Sequence, residues 1–304
     1  MKLFKRVAGK WTYHRYQTLA AYGFISLVFI LVTAFVLGPM VSSLVLGFFR
    51  YDGIRPPKFV GLQNFQSLLG DRSASKSIWL TLYYMIGTLL VTITLAFVLA
   101  VLLSRKWLRG RQLFTSVLFF PYALPFVAAA FIWTWLFNPT QGVVNYLFEL
   151  LGLYPQYWFR DPALAMPSIW IVGNWKFLGV FLIMYIAAIQ NVSEAYYEAG
   201  KIDGIRNMWQ EIRYITWPLT LPTTFFLVIF GMIGAFNAFD IVFVTTQGGP
   251  AHATRVAVYY VYELAFNLHR FGEGSALAFI MFVLLMLITY GVWRFYTSKV
   301  EDLA

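Results

Sequence analysis

Residues 77–104 read SIWLTLYYMIGTLLVTITLAFVLAVLLS and decide the class of the fold. The stretch contains no Asp, Glu, Lys or Arg. A helix needs about 20 consecutive apolar residues to cross the hydrocarbon core of a bilayer, because each residue advances the helix by only about 1.5 Å. This run is long enough to cross the bilayer, and it predicts a transmembrane helix.

Apolar runs of the same kind lie before and after it, separated by short charged segments. The run over residues 112–148 is too long for one span, and its segment Asn138–Gly142 (NPTQG) has the composition of a turn, which predicts a helix end near Phe137. Pro121 and Pro125 predict a kink within the same helix. We therefore expect an all-α, polytopic membrane protein with six transmembrane helices at about 18–48, 78–103, 113–137, 167–190, 218–244 and 275–296.

The composition excludes the other broad classes of protein. Of the 304 residues, 60% are hydrophobic and 12% are charged, whereas soluble domains are about 25% charged. A disordered chain needs the opposite balance, with low hydrophobicity and high charge. The net charge of +10 comes from Lys and Arg in short loops, which is typical of topology control and does not indicate nucleic-acid binding. The absence of cysteine excludes disulfides and thiolate metal sites.

The distribution of Lys and Arg predicts the orientation. One side of the six-helix arrangement collects 14 of these residues and the other collects 8, with Lys176 left inside the fourth span. Because cytoplasmic loops carry the excess of cations, we expect both termini in the cytoplasm. The expected organisation is a cytoplasmic segment over residues 1–17 and a transmembrane domain over residues 18–304, with a cytoplasmic loop over residues 191–217.

One of the outer segments contains a second, shorter apolar run. Val256–Phe266 is too short to span a bilayer. We expect it to form a short helix at the outer face, with its tyrosines at the membrane interface, namely Tyr259, Tyr260 and Tyr262.

Motifs of catalysis are missing from the sequence. It has no G-x-x-x-x-G-K-[ST], no G-x-G-x-x-G and no H-E-x-x-H, and its three histidines are scattered. We expect no catalytic residue, no metal site and no cofactor in this chain. One alternative is a self-sufficient secondary transporter or channel. That alternative predicts inverted repeats and carboxylates near the midplane, which are not evident.

The longest polar stretch on the cytoplasmic side is the loop over residues 191–217. Ser193 can cap a helix that begins at Glu194, whose charge favours the helix N-terminus. Gly200 and Gly204 predict a turn, after which a second helix should run from about Ile205 into Trp217. This second helix carries an apolar stripe of Ile205, Met208, Trp209, Ile212 and Ile215. The stripe suits docking into a groove of another protein or folding back onto the ends of the spans.

The same loop resembles that of a known family. Residues 198–204 (EAGKIDG), followed by residues 215–218 (ITWP), are similar to the E-A-A-x-x-D-G … I-x-L-P loop of binding-protein-dependent ABC importer permeases. Gly200 replaces the second Ala of that pattern and Trp217 replaces its Leu. Four further stretches resemble the carbohydrate branch of the family, the maltose and glycerol-3-phosphate type: GLQNF (61–65), FPYALP (120–125), WLFNP (135–139) and TQGGP (246–250).

The resemblance implies a type I ABC importer permease fold and a heteromeric complex. Such a chain forms half of the pore in a bacterial or archaeal cytoplasmic (inner) membrane. Its partners are a second homologous permease, two ATP-binding cassette subunits that bind ATP and Mg, and an extracytoplasmic solute-binding protein. The loop acts as a coupling helix on the ATPase. The residues expected to carry this coupling are Glu194, Glu198, Ala199, Gly200, Asp203, Gly204 and Trp209.

Polar groups inside spans are costly and indicate function by default. Amides and carboxylates can bond sugar hydroxyls, and aromatic faces can pack on sugar rings. For Lys176 the alternatives are snorkelling or an ion pair with Asp240, and for Asp240 a solvated or capping carboxylate. Asn237 and Asp240, three residues apart, are expected on one helix face. The candidates for the solute path are Asn174, Trp175, Lys176, Tyr185, Asn237 and Asp240, and the solute itself stays open among oligosaccharides, uronides, polyols and glycerol-3-phosphate.

Overall fold

The computed structural model describes the backbone of residues 2–105 and 110–301, and the side chains of residues 13, 15, 17–105 and 110–298. Several cations that enter the predicted orientation therefore lie outside the described residues, either wholly (Lys106 and Arg109) or in their side chains, as for most of those in segment 1–17. The regular structure of the described residues is helical except for one short hairpin.

Each of the long helices corresponds to an apolar run of the sequence. Five of them are long and apolar enough to cross a membrane, over residues 17–46, 72–103, 165–190, 208–236 and 271–298. The helices that contain these spans are α1 (Lys2–Val32) with α2 (Gly38–Leu46), α4 (Arg72–Leu103), α8 (Ala165–Gln190), α11 (Trp217–Phe236) and α14 (Phe271–Glu301). A bent pair, α5 (Arg111–Ala123) and α6 (Phe126–Leu136), makes a sixth span when the two helices are counted as one.

Short elements connect these spans. The hairpin consists of β1 (Phe49–Arg50) and β2 (Lys58–Phe59), which pair antiparallel. π-helical turns occupy Thr33–Leu37, Ile212–Thr216 and Glu263–Asn267. The short helices are α3 (Gln63–Gly70), α7 (Val143–Leu150), α9 (Glu194–Ile202), α10 (Met208–Glu211), α12 (Phe239–Thr245) and α13 (Ala257–Tyr262).

The third span bends where its prolines predict a kink. The axes of α5 and α6 differ by 105°. Pro125 has no N–H to continue the helix, and its ring forces the preceding residue, Leu124, into extended backbone with ψ of 142°. The far end of α6, at Leu136, agrees with the helix end predicted near Phe137.

The fifth span differs from the prediction at both ends. The helix from the cytoplasmic loop does not end at Trp217: α10 continues through the π turn into α11 as one span. The N–H of Trp217 donates to the carbonyl of Ile212, five residues back, which carries the helix past Pro218. At the other end the helix stops at Phe236, and a two-residue break precedes α12.

The core forms around α8, which packs against α4, α5 and α11. A glycine makes the closest of these approaches possible. A Cβ placed on Gly179 would lie 2.3 Å from the carbonyl oxygen of Leu118, so the backbones of α8 and α5 meet directly. The largest fully buried side chains are Tyr84, Ile169, Phe181, Leu182, Tyr185 and Leu227.

Two tyrosines of the outer segment pack inside the protein. The short helix expected there exists as α13, but Tyr259 and Tyr260 are buried in the protein. The hydroxyl of Tyr260 donates to Oδ2 of Asp71 at 2.7 Å, and the guanidinium of Arg255 lies 4.5 Å from the ring. Burial raises the pKa of the Tyr260 hydroxyl to about 12. The sequence did not predict the burial of Tyr260, because its partner Asp71 lies 189 residues away, and the position of the tyrosines at the membrane interface stays a prediction.

Candidate functional site

The cytoplasmic loop begins with the helix that the sequence predicts. Helix α9 starts at Glu194, and Ser193 Oγ accepts a hydrogen bond from the N–H of Ala195 at 3.4 Å. The acidic side chain of Glu194 lies in the first turn, where the positive end of the helix dipole favours it. The predicted cap and helix start are confirmed.

The turn after α9 is a Schellman motif built on glycine. Gly204 has φ of +94°, a conformation that costs an L-residue about 1–2 kcal/mol. The N–H of Ile205 donates to the carbonyl of Gly200 at 2.8 Å, and the N–H of Gly204 donates to that of Lys201 at 3.3 Å. These two bonds satisfy carbonyls that the helix end leaves free. No atom of the described chain comes within 4 Å of a Cβ placed on Gly204, so the outside of the turn is open.

Gly200 is buried against the span that follows the loop. A Cβ at this position would lie 2.7 Å from Cδ1 of Ile215 and 3.1 Å from Cδ1 of Ile205. The hydroxyls of Tyr197 and Thr216 make a second contact at 3.3 Å. The two isoleucines fill the space that the second alanine of the family pattern would take, which explains the glycine here.

The second helix of the loop begins later than predicted. Asn207 Oδ1 accepts a hydrogen bond from the N–H of Gln210 at 2.9 Å, and Gln210 Oε1 accepts one from the N–H of Arg206 at 3.0 Å. Asn207 thus caps the helix, so α10 starts at Met208 and not at about Ile205. An Asn followed three residues later by a Gln was a readable signal that sequence reasoning missed.

The loop turns one side inward and leaves the other exposed. Of the predicted coupling residues, Gly200 alone is buried, and the exposed ones are Glu194, Glu198, Ala199, Asp203, Gly204 and Trp209. The predicted apolar stripe is divided: Ile215 packs inward, whereas Trp209 is 72% exposed. Ile202, at the end of α9, is 87% exposed. Large exposed apolar side chains on a loop indicate a contact surface.

A cavity of about 700 Å³ lies between this loop and the ends of the spans. Its walls include Glu198 and Lys201 of α9, and Glu211 of α10. Arg105, which follows α4, places Nη1 3.1 Å from Oε1 of Glu211 and so joins the second span to the loop. The ion pair is about three-quarters buried on both sides, which shields it from solvent screening.

Lys176 lies on the break of the third span. Its side chain is 3% exposed, and Nζ donates hydrogen bonds to the carbonyl oxygens of Pro121 (3.2 Å), Tyr122 (3.0 Å) and Leu124. These carbonyls belong to the C-terminal end of α5, where unpaired oxygens and the helix dipole attract a cation. Nζ also lies 4.7 Å from the ring centroid of Phe126. The ammonium therefore holds the bend between α5 and α6, an interaction that the sequence did not predict.

The other predicted polar residues of the fourth span contact neighbouring helices. The hydroxyl of Thr92 in α4 donates to Oδ1 of Asn174. The ring of Trp175 packs edge-on against Trp133 of α6, with centroids 5.7 Å apart. Tyr185 is fully buried, and its hydroxyl donates to Thr224 Oγ1 of α11 at 2.9 Å.

Asn237 and Asp240 do not share one helix face. Asn237 follows the end of α11, and its Nδ2 donates to the carbonyl of Ile233 at 2.9 Å. Asp240 lies in the first turn of α12, where the helix dipole favours a carboxylate. Both side chains are exposed in the single chain. The structure thus places Asn174, Trp175, Lys176 and Tyr185 between helices, and Asn237 and Asp240 at an open break.

The comparisons with known proteins decide the family. The sequence model of the family described as "Binding-protein-dependent transport system inner membrane component" matches residues 92–301. The match includes α9, the glycine turn and the four spans that follow α4. The chain belongs to this family. It is therefore a permease of the inner membrane, as the sequence resemblance implied.

Relatives of this permease cover nearly its full length. It is 32% identical to the sn-glycerol-3-phosphate transport system permease protein of Agrobacterium fabrum, over 90% of this chain and 92% of the relative. It is 30% identical to the lactose transport system permease protein of Rhizobium radiobacter, over 94% of this chain and 96% of the relative.

A solved structure shares the fold of this permease. It is a chain of a bacterial alginate ABC transporter in complex with an alginate pentasaccharide-bound periplasmic protein. The TM-score is 0.79 at 23% identity, covering 91% of this chain and 93% of that chain. The predicted type I permease fold is confirmed.

Proposed function

We propose that this permease forms one half of the translocation pore of an ATP-driven, binding-protein-dependent importer for carbohydrate. Loop 191–217 would be the part that a cytoplasmic ATPase moves. The observation that supports this role is that the two sides of α9 differ. One side exposes Glu198 and Ile202. The other side packs on the start of the fifth span through Gly200 and Tyr197.

This arrangement gives a physical route for coupling. A displacement of α9 acts on Ile215 and Thr216, which belong to the π turn that is continuous with α11. The helix then carries the motion to its other end, next to Asn237. Packed elements of this kind move as rigid bodies between discrete arrangements.

The proposed partners are inferred from a nucleotide-binding motif that the sequence lacks and from an apolar surface that the chain exposes. The sequence has no P-loop, so in this proposal two ATPase subunits bind ATP and Mg and hydrolyse ATP. The first span buries none of its apolar window in the described chain, which leaves it for lipid and for a second permease chain. A solute-binding protein would deliver the solute to the outer mouth. Nucleic acid has no part in the proposal.

The names of the relatives support carbohydrate as the solute class. Lactose is named for one relative and alginate for the structural neighbour. Sn-glycerol-3-phosphate, named for another relative at similar identity, is the second candidate. In this proposal Asn237 and Asp240 line the solute path, since they are exposed at the break between α11 and α12. The residues that pack between helices would support the wall of this path, namely Asn174, Trp175, Lys176 and Tyr185.

A bulky residue at the loop's turn tests the coupling role. In the complex co-purified with its partners, we expect Gly204→Trp to abolish the ATPase stimulation by loaded binding protein, because the side chain would project into the open space where the ATPase docks. Gly152→Trp is the matched control, since Gly152 also has positive φ (+73°) and an open Cβ position but lies outside the loop.

ATPase activity with each variant gives the outcome. Stimulation retained by Gly152→Trp and lost by Gly204→Trp supports the proposal. Equal stimulation in both variants would contradict coupling through this loop.

A further inference from the structure

A second site lies at the opposite end of the first and sixth spans. A cavity of about 620 Å³ is bounded by the β1–β2 hairpin, by α3 and by the start of α14. We refer to it as the hairpin cavity. Its charged lining residues come from two parts of the chain: Arg50, Asp52, Arg55, Lys58, Arg270 and Glu273.

The cavity gathers cations on the side that is expected to be poor in them. The Lys and Arg distribution places the hairpin outside the cytoplasm, and eight cations are expected on that side. Four of these eight line the hairpin cavity, namely Arg50, Arg55, Lys58 and Arg270. The first amide groups of the long helix α14 lie beside them, and Gly272 also lines the cavity, so the helix dipole adds to the positive field.

The two carboxylates of the cavity are already engaged. Asp52 Oδ1 accepts hydrogen bonds from the N–H groups of Ile54 (3.0 Å) and Arg55 (2.8 Å), which hold the pKa of the carboxyl below its usual value. Glu273 pairs with Arg270 through both of its oxygens. Asp52 stabilises the turn of the hairpin and Glu273 lies at the start of α14. Neither carboxylate neutralises the cations on the two strands.

Arg50 and Lys58 are left facing each other without an acid. They are direct partners across the two strands, an arrangement of like charges that destabilises a hairpin. Arg50 Nη2 makes a 3.4 Å hydrogen bond to the amide oxygen of Gln63, and neither residue has an ion pair among the described residues. An anion between them would relieve this repulsion.

The protein holds the strained hairpin in place. Nδ2 of Asn64, a buried side chain of α3, donates to the carbonyl oxygens of Gly47 (2.9 Å) and Phe49 (2.8 Å). On the α14 side, a Cβ placed on Gly272 would lie 2.0 Å from the carbonyl oxygen of Phe49, so only glycine allows this approach. The backbone of the strand that carries Arg50 is therefore held from two sides.

The surroundings of the cavity are those of a membrane interface. The hairpin follows the end of the first span, and α14 begins the sixth. Phe49 and Phe59 form the other pair across the strands, with ring centroids 5.3 Å apart, and Phe59 is 72% exposed. Ile54 at the tip is 88% exposed. Exposed apolar side chains beside cations match the boundary between acyl chains and headgroups. No residue of α11 or α12 lines the cavity, which separates it from the proposed solute path.

We propose that the hairpin cavity binds the phosphate of an anionic phospholipid from the outer leaflet, with Arg50 and Lys58 as its donors. The phosphodiester oxygens accept from the two opposed side chains, and the acyl chains lie along the exposed sides of the adjoining spans. The lipid would pin the outer ends of the first and sixth spans to one another.

Native mass spectrometry of the purified, intact transporter tests this site. The complex is titrated with phosphatidylglycerol and, separately, with phosphatidylcholine of the same acyl chains. We expect the unaltered complex to retain phosphatidylglycerol tightly and to lose phosphatidylcholine. Replacing both donors (Arg50→Gln with Lys58→Gln) should weaken it about thirtyfold, since each cation near an anionic headgroup contributes about 1 kcal/mol.

The matched control removes the same charge from the same predicted side. Arg72→Gln with Arg160→Gln changes two exposed cations that do not line the hairpin cavity, and we expect lipid retention unchanged. Exchanging the donors (Arg50→Lys with Lys58→Arg) keeps both charges and should keep the lipid, which separates loss of charge from a folding defect.

Three results would overturn the proposal. The first is equal phosphatidylglycerol retention by the double variant and the control. The second is competition by inorganic phosphate at the affinity of the lipid, which would assign the cavity to a soluble anion. The third is unchanged lipid retention with weakened docking of the binding protein, which would make the hairpin a protein contact.

Discussion

At the scale of single residues, Lys176 shows how a buried charge can be structural. An isolated ammonium inside a bilayer is costly, yet here three carbonyls at the end of α5 surround it. Pro125 has no N–H and ends the helix, so the carbonyls of Tyr122 and Leu124 have no backbone donor among the described residues, whereas that of Pro121 also accepts from the N–H of Leu124. Sequence reasoning found the cation and the prolines separately, but it could not join them, because the two lie 55 residues apart in the chain.

Removing this charge should destabilise the permease. Lys176→Met keeps the length of the side chain and leaves the carbonyls of Tyr122 and Leu124 without a donor, so we expect a loss of about 2–5 kcal/mol in the free energy of unfolding. Denaturant unfolding in detergent measures it, and Lys176→Arg, which keeps the donors, is the control. Unchanged stability together with a weakened apparent affinity for solute would contradict the structural role and favour solute contact.

At the scale of elements, the predicted and observed helices agree where the residues that start or end a helix lie in the same short stretch of sequence. Charge-free runs located the spans, Ser193 located the start of α9, and Gly204 located its end. The break after Phe236 was missed, because Asn237-Ala238 contains neither proline nor glycine. The burial of Tyr260 was missed for another reason: its partner Asp71 lies 189 residues away.

The contact between α9 and the fifth span gives a prediction at this scale. Gly200→Leu should force α9 away from Ile215 and Ile205, because a Cβ already requires the end of Ile215 to shift and the three further carbons of leucine have no space between the two side chains. We expect the complex to assemble while binding-protein stimulation of ATPase activity falls about tenfold, a change that corresponds to roughly 1.4 kcal/mol.

Gly200→Ala is the control for this contact. It adds one methyl group, which the flexible end of Ile215 can accommodate, so coupling should persist. If Gly200→Leu were stimulated as strongly as Gly200→Ala, the packing of α9 on the span would not transmit motion.

At the scale of the whole molecule, the single chain leaves apolar surface uncovered. No residue in the apolar window of its first span is buried, and loop 191–217 leaves Ile202 and Trp209 exposed. Sequence composition predicted the membrane class and the resemblance predicted the family, and both are confirmed. The solute could not be predicted, since Asn237 and Asp240, the exposed polar residues proposed for the path, do not by themselves distinguish one sugar from another.

Uptake by the reconstituted transporter tests the central claim most directly. Proteoliposomes containing this permease, its second permease and the ATPase are given binding protein with radiolabelled lactose, an alginate oligosaccharide or sn-glycerol-3-phosphate. We predict saccharide uptake that requires both ATP and binding protein and that is lost in Gly204→Trp. Uptake of glycerol-3-phosphate alone would contradict the carbohydrate assignment. Uptake by this chain alone, driven by an ion gradient and unaffected by Gly204→Trp, would contradict the importer mechanism itself.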